Sequence, residues 1–141
     1  MIDQLTVFIE NEEGRLASMC RVIADAGINM HALFLADTAD YGVARVFCDT
    51  PHAAKNALDD AGFRAAITPV LGLRVPDRKG GLADLLDFLK AENVNIEYGY
   101  CFPGPDDMAI DVLKVDDASV EDKIEAAGFR PVQPEELYVV D

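Results

Sequence analysis

The chain repeats itself at a constant spacing of 66 positions. Gly14, Leu16 and Ala17 return as Gly80, Leu82 and Ala83, and Asn29 returns as Asn95. Ala61-Gly62-Phe63-Arg64 returns as Ala127-Gly128-Phe129-Arg130, with Leu5/Leu71 and Val46/Val112 completing the correspondence without a gap. The matched residues fall at helix starts, helix ends and strand starts, where backbone geometry limits the choice of side chain. A repeat that keeps its punctuation keeps its fold, so two copies of one small unit are expected.

Within a unit the hydrophobic period switches between two and 3.6. Leu5-Thr6-Val7-Phe8-Ile9 reads as a strand, broken by the polar run Glu10 to Gly14. Leu16, Met19, Cys20 and Ile23 then share one helix face, with Gly27 as the stop. Leu82, Leu85, Leu86 and Leu89 repeat that stripe, and Asn93, which tolerates the left-handed conformation, repeats the stop. Ile28–Ala36 and Val43–Cys48 read as strands joined by a hairpin turn over Asp37–Gly42. Pro51 opens a second helix, Gly62 closes it and Phe63 begins the next extended segment. The order β-α-β-β-α-β predicts an α+β protein of two ferredoxin-like units with antiparallel sheets, residues 1–69 and 70–141, the second element set running from Val70 to Val140. Ile67–Val75 must end one unit and start the next, interrupted by Pro69 and Gly72. Such close coupling favours the two sheets side by side with the helices on one face, each unit covering the other's edge strand.

Composition removes several classes of function. Twelve Lys and Arg against twenty-six Asp and Glu give a net charge of −14, with no basic cluster beyond Arg78-Lys79, so nucleic acid and anionic membrane are not expected partners. Met1-Ile2-Asp3-Gln4 lacks the basic and apolar start of a signal peptide, and a cytoplasmic location is expected. Cys20, Cys48 and Cys101 lie in apolar patterns as reduced thiols, without a disulfide framework.

The segments Glu10-Asn11-Glu12-Glu13-Gly14-Arg15-Leu16 with Gly27-Ile28-Asn29 resemble an ACT domain. So do Val75-Pro76-Asp77-Arg78-Lys79-Gly80-Gly81-Leu82 with Asn93-Val94-Asn95-Ile96, and the resemblance covers nearly the whole chain. It is similar to small proteins made only of two ACT units. The resemblance implies a module that binds an amino acid or a similar metabolite and regulates an enzyme or transcription factor in trans, with no catalysis or cofactor of its own. Asn11 and Asp77 stand at the acidic position of the family's D-x-P-G turn, and Glu13 and Lys79 replace its proline, so the two loops differ in charge.

A zwitterionic ligand needs donors for its carboxylate and acceptors for its ammonium. The turns at Gly14 and Gly80-Gly81 present unobstructed first-turn N–H groups at the positive end of a helix dipole. Arg15 adds a charge-assisted contact or is a solvated surface residue. Asn29 and Asn95 either cap their turns or contact the ligand, and Ile28, Met30 and Ile96 either wall the site or pack the core. The candidate ligand-binding residues are therefore Asn11, Gly14, Arg15, Leu16, Ile28, Asn29, Met30, Asp77, Lys79, Gly80, Gly81, Leu82, Asn95 and Ile96. A ligand bound where the two units meet would favour one geometry of the pair.

No metal-ligand spacing joins His31, Cys48 and His52, and no phosphate-binding glycine loop occurs. Paired carboxylates such as Asp59-Asp60 and Asp116-Asp117 read as solvated surface, so no enzyme activity is expected. The competing expectation is a docking module that binds a metabolic enzyme, or another copy of itself, without any metabolite. Tyr98, Tyr100 and Phe102, beside Pro103-Gly104-Pro105, are its candidate surface.

Overall fold

The computed structural model describes residues 1–37 and 40–141. Its elements are β1 (Ile2–Glu10), α1 (Arg15–Asp25), β2 (Met30–Asp37), β3 (Tyr41–Cys48), α2 (Pro51–Asp60) and β4 (Arg64–Pro76), followed by α3 (Gly81–Ala91), β5 (Ile96–Pro103), β6 (Met108–Val115), α4 (Val120–Ala126) and β7 (Arg130–Pro131). A short 3-10 turn, Pro134–Glu136, follows. The protein is α+β and carries the β-α-β-β-α-β order twice. Strand orders β2-β3-β1-β4 and β5-β6-β4-β7 are both the ferredoxin-like arrangement. The turn expected over Asp37–Gly42 includes residues outside those described.

Two compact units divide the chain. One is Asp3–Thr68 with Pro134–Asp141, and the other is Pro69–Gln133 with Met1–Ile2. In the first, here called the N-terminal unit, Leu5, Val7 and Ile9 of β1 alternate inward with Ala44, Val46 and Cys48 of β3. They meet Met19 and Ile23 of α1 and Ala54 and Leu58 of α2. In the C-terminal unit Leu71, Leu73 and Val75 of β4 meet Leu85 and Leu89 of α3 and Ile124 of α4. Each such leucine or isoleucine, fully buried, contributes about 1.5–3 kcal/mol.

Turn chemistry follows the repeated punctuation. Gly14 and Gly80 stand at the N-caps of α1 and α3 with φ of 83° and 85°, and Gly27 and Asn93 end those helices at φ of 74° and 58°. Asp106 and Asp107, both at positive φ, form a two-residue turn between β5 and β6, closed by Met108 N–H donating to the Pro105 carbonyl.

Three expectations need correction. β4 runs unbroken through Pro69 and Gly72. Gly72 is needed there because a Cβ would meet Ile2 Cδ1 at 2.6 Å. The last strand, expected to extend to Val140, is only Arg130–Pro131, and beyond it Val139 and Asp141 bond to residues of the N-terminal unit. Nor is the repeat free of gaps. Leu5 pairs Val46, but Leu71 pairs Leu113 rather than Val112, and Leu33 pairs Val46 whereas Gly99 pairs Leu113. The true counterpart of each β3 residue therefore lies one position further along β6. Ala44, not Arg45, corresponds to Asp111.

Candidate ligand sites

The first turns of α1 and α3 carry donors that the chain does not use. Ser18 N–H reaches the Gly14 carbonyl and Asp84 N–H the Gly80 carbonyl, each at 2.9 Å, but no described acceptor meets the N–H groups of Leu16, Ala17, Leu82 or Ala83. Helix α2 differs. His52 and Ala53 N–H donate to the two carboxylate oxygens of Asp141 at 3.1 and 2.7 Å, so an anion already sits at that helix start.

Around α1, Arg15 donates through Nε to Glu10 Oε2 at 2.8 Å and lies 4.5 Å over the Phe63 ring. The Glu10 carboxyl is held below its ordinary value by a backbone hydrogen bond and then by that guanidinium. Arg15, Glu10 and Phe63 line a cleft of about 190 Å³. Asn11 and Leu16 line a smaller one of about 80 Å³ with Glu12 and Leu35. Ile28 and Met30 pack against the N-terminal core, and Asn29 is exposed, its carbonyl accepting Asp49 N–H at 3.0 Å.

Around α3, Asp77, Lys79 and Gly80 are exposed and Gly81 is buried. A Cβ on Gly81 would stand 2.3 Å from the Pro76 carbonyl oxygen, which fixes glycine there. Arg78, not among the candidate ligand residues, crosses this start, donating to Asp84 at 2.7 Å and to the Lys79 carbonyl. Asn95 is exposed; its N–H donates to Asp116 Oδ1 at 3.2 Å and its carbonyl accepts Asp116 N–H at 3.4 Å.

Leu82 and Ile96 share a larger cleft of about 370 Å³, wholly within the C-terminal unit, with Leu86, Gly99, Cys101, Asp111 and Leu113. Of these only Leu82 and Ile96 were candidate ligand residues; Gly99, Cys101 and Asp111 were given no such role. The one available signal was a carboxylate inside the apolar run Ala109-Ile110-Asp111-Val112-Leu113.

His31 Nε2 and Asp49 Oδ1 lie 2.8 Å apart, and the same oxygen accepts Val139 N–H at 2.9 Å. The Asp49 carboxyl is thereby held below the usual range, His31 first and the Val139 N–H second. Tyr98, Tyr100 and Phe102 are half-buried on β5. Among the described residues no group of His, Cys, Asp and Glu could hold a metal, and no helix is long and apolar enough to cross a membrane.

Comparison with known proteins gives a family model, described as an ACT domain pair, that matches residues 1–126. Protein BT0572 from Bacteroides thetaiotaomicron is 34% identical, with 96% of this chain and 94% of that one covered and a TM-score of 0.90. The ligand-free regulatory subunit of aspartate kinase from Thermus thermophilus is 17% identical over 89% of both chains, at a TM-score of 0.63. Its counterpart from Thermus flavus is 17% identical over 79% and 80%, at 0.58. These two share the fold. No curated protein matches the chain.

Proposed function

The chain belongs to the ACT domain pair family, and from that premise we propose that it is a regulatory sensor of an amino acid, without catalysis of its own, that reports to an enzyme or regulator supplied in trans. Residues 1–69 and 70–141 are its two domains on this reading. The observation that carries it is the contrast between helix starts. The first-turn N–H groups of His52 and Ala53 in α2 are taken by Asp141, whereas those at Leu16-Ala17 and Leu82-Ala83, behind glycine N-caps, meet no acceptor among the described residues. Unused backbone donors at the positive end of a helix suit a ligand carboxylate. Asn11, Gly14, Arg15 and Leu16 form one proposed loop with Ile28, Asn29 and Met30 beside it. Asp77, Lys79, Gly80, Gly81 and Leu82 form the other, with Asn95 and Ile96. The aspartate kinase regulatory subunits of the same fold support a role beside an enzyme.

A thermal-shift screen of the purified chain against the standard amino acids at millimolar concentration tests the reading. A selective upward shift for one chemical class is expected, and Gly14→Val with Gly80→Val should reduce it while the protein stays folded. Silence across the whole panel would favour a docking module that binds its partner without a metabolite.

A further inference from the structure

The two units differ in residue type at corresponding positions of their second and third strands. Opposite Leu113 and Asp111 of β6, strand β5 places Gly99 and Cys101, and opposite Val46 and Ala44 of β3, strand β2 places Leu33 and Leu35. Directly opposed residues of an antiparallel pair share a sheet face. Val46 and Ala44 belong to the core under α1 and α2, and Leu113 belongs to the core under α3 and α4, so in both units this is the face the helices cover. Two leucines and an alanine in the N-terminal unit thus become glycine, cysteine and aspartate in the C-terminal unit. These replacements leave room on this face, where the C-terminal unit has a cleft of about 370 Å³, within the range that holds small metabolites.

The third replacement adds charge. Asp111 is 4% exposed, lines the cleft, and neither accepts a described hydrogen bond nor pairs with a described cation. Burial alone pushes its carboxyl above the ordinary value. A carboxylate left unpaired in apolar surroundings costs stability and calls for a cation. Among the described residues the lining supplies none: its other titratable residues are Tyr100 and Cys101. At the helix side the cleft is bounded by Leu82, whose own N–H meets no described acceptor. The cleft thus holds one buried carboxylate, and its body is made of Leu82, Leu86, Ile96 and Leu113.

We infer that this cleft is the amino-acid site of the C-terminal unit, with Asp111 as acceptor for the ligand's ammonium group and an apolar side chain held among the leucines. The inference rests on the sensor reading and narrows it to a ligand class and to one unit. The N-terminal unit, with Ala44, Leu33 and Leu35 at the corresponding positions, has no such anion and does not share this site.

Calorimetric titration with L-leucine and L-phenylalanine, and with their des-amino acids isocaproate and hydrocinnamate, tests it on the full chain. At least one of the two amino acids should bind, and its des-amino form at least tenfold more weakly. Asp111→Asn should weaken the amino acid by a similar factor and leave the des-amino acid unchanged, so that the preference disappears. Cys101→Leu, which restores the residue type of the N-terminal unit, should close the cleft and abolish binding without unfolding the chain. Full affinity in Asp111→Asn, or an undiminished preference for the amine, would overturn the inference and leave the sensor reading standing. If the wild-type chain binds other amino acids but neither of these, the inference falls alone. If it binds no amino acid, both fall.

Discussion

Asp111 is where residue-level physics makes its sharpest demand. Its carboxyl is raised by burial with nothing to offset the cost, so in the unfolded chain it ionises at lower pH than in the folded one. The folded state then binds more protons between those two values, and stability falls as pH rises through that window. Asp111→Leu should therefore stabilise the ligand-free protein at neutral pH by about 1–3 kcal/mol, the usual size of an unsatisfied buried polar group, measurable by urea unfolding. The gain should shrink below the unfolded carboxylate range. Asp49 has the opposite sign. Held low by His31 and the Val139 N–H, it adds stability above its unfolded value that is lost as pH falls through the folded one, and Asp49→Asn should flatten that acid limb. Glycines separate in the same way. Gly14 has open space around it and a φ of 83°, so Gly14→Ala should cost about 1 kcal/mol of conformational strain alone. Gly81→Ala, against the Pro76 carbonyl, should cost more in the same thermal-unfolding assay.

At the scale of elements, the tail beyond β7 behaves as part of the N-terminal unit. Tyr138 is 5% exposed, stacks on Phe47 at 6.3 Å between centroids, and accepts Asp3 N–H at 2.8 Å. Tyr138→Ala should cost about 3 kcal/mol in chemical denaturation, as large-to-small changes at buried aromatic sites do. Helix starts and stops were legible in the sequence because only glycine or asparagine suits the left-handed turns at Gly14, Gly27, Gly80 and Asn93. Helix α2 was legible from Pro51. The slip of β6 was not, because Val112 and Leu113 are both apolar and buried, and either fits opposite Leu71 by pattern alone. That slip hid Asp111: at constant spacing it corresponds to Arg45, whose face is the other one, and so it looks like surface charge. The fate of the tail was equally hidden, since Val139 and Val140 are exposed and Asp141 acts through its carboxylate on the start of α2. Leu82 and Ile96, named as candidate ligand residues from the sequence, line the cleft. Gly99 and Cys101 were not named, because smallness signals nothing until the larger residues at the matching positions are known.

For the whole molecule, a net charge of −14 on 141 residues means self-repulsion in the folded state, so the midpoint of thermal unfolding should rise as salt screens it. Thiol reactivity should be equally uneven. Cys101 is exposed at the cleft, while burial first, and the charges of Asp49 and Asp141 after it, push the Cys48 thiol up to about 12. Alkylation at neutral pH should modify Cys101 well before Cys48, and a bound ligand should protect it. Sensing itself is a matter of linkage: a ligand at a hundred times its dissociation constant adds about 2.7 kcal/mol to the folded state, enough to shift unfolding by several degrees. The measurement that bears most directly on this is isothermal titration of the unmodified chain with apolar amino acids at neutral pH. Saturable binding of one ligand class, matched by an upward shift in unfolding temperature, is the expected result; no heat and no shift with any amino acid would contradict the sensor reading.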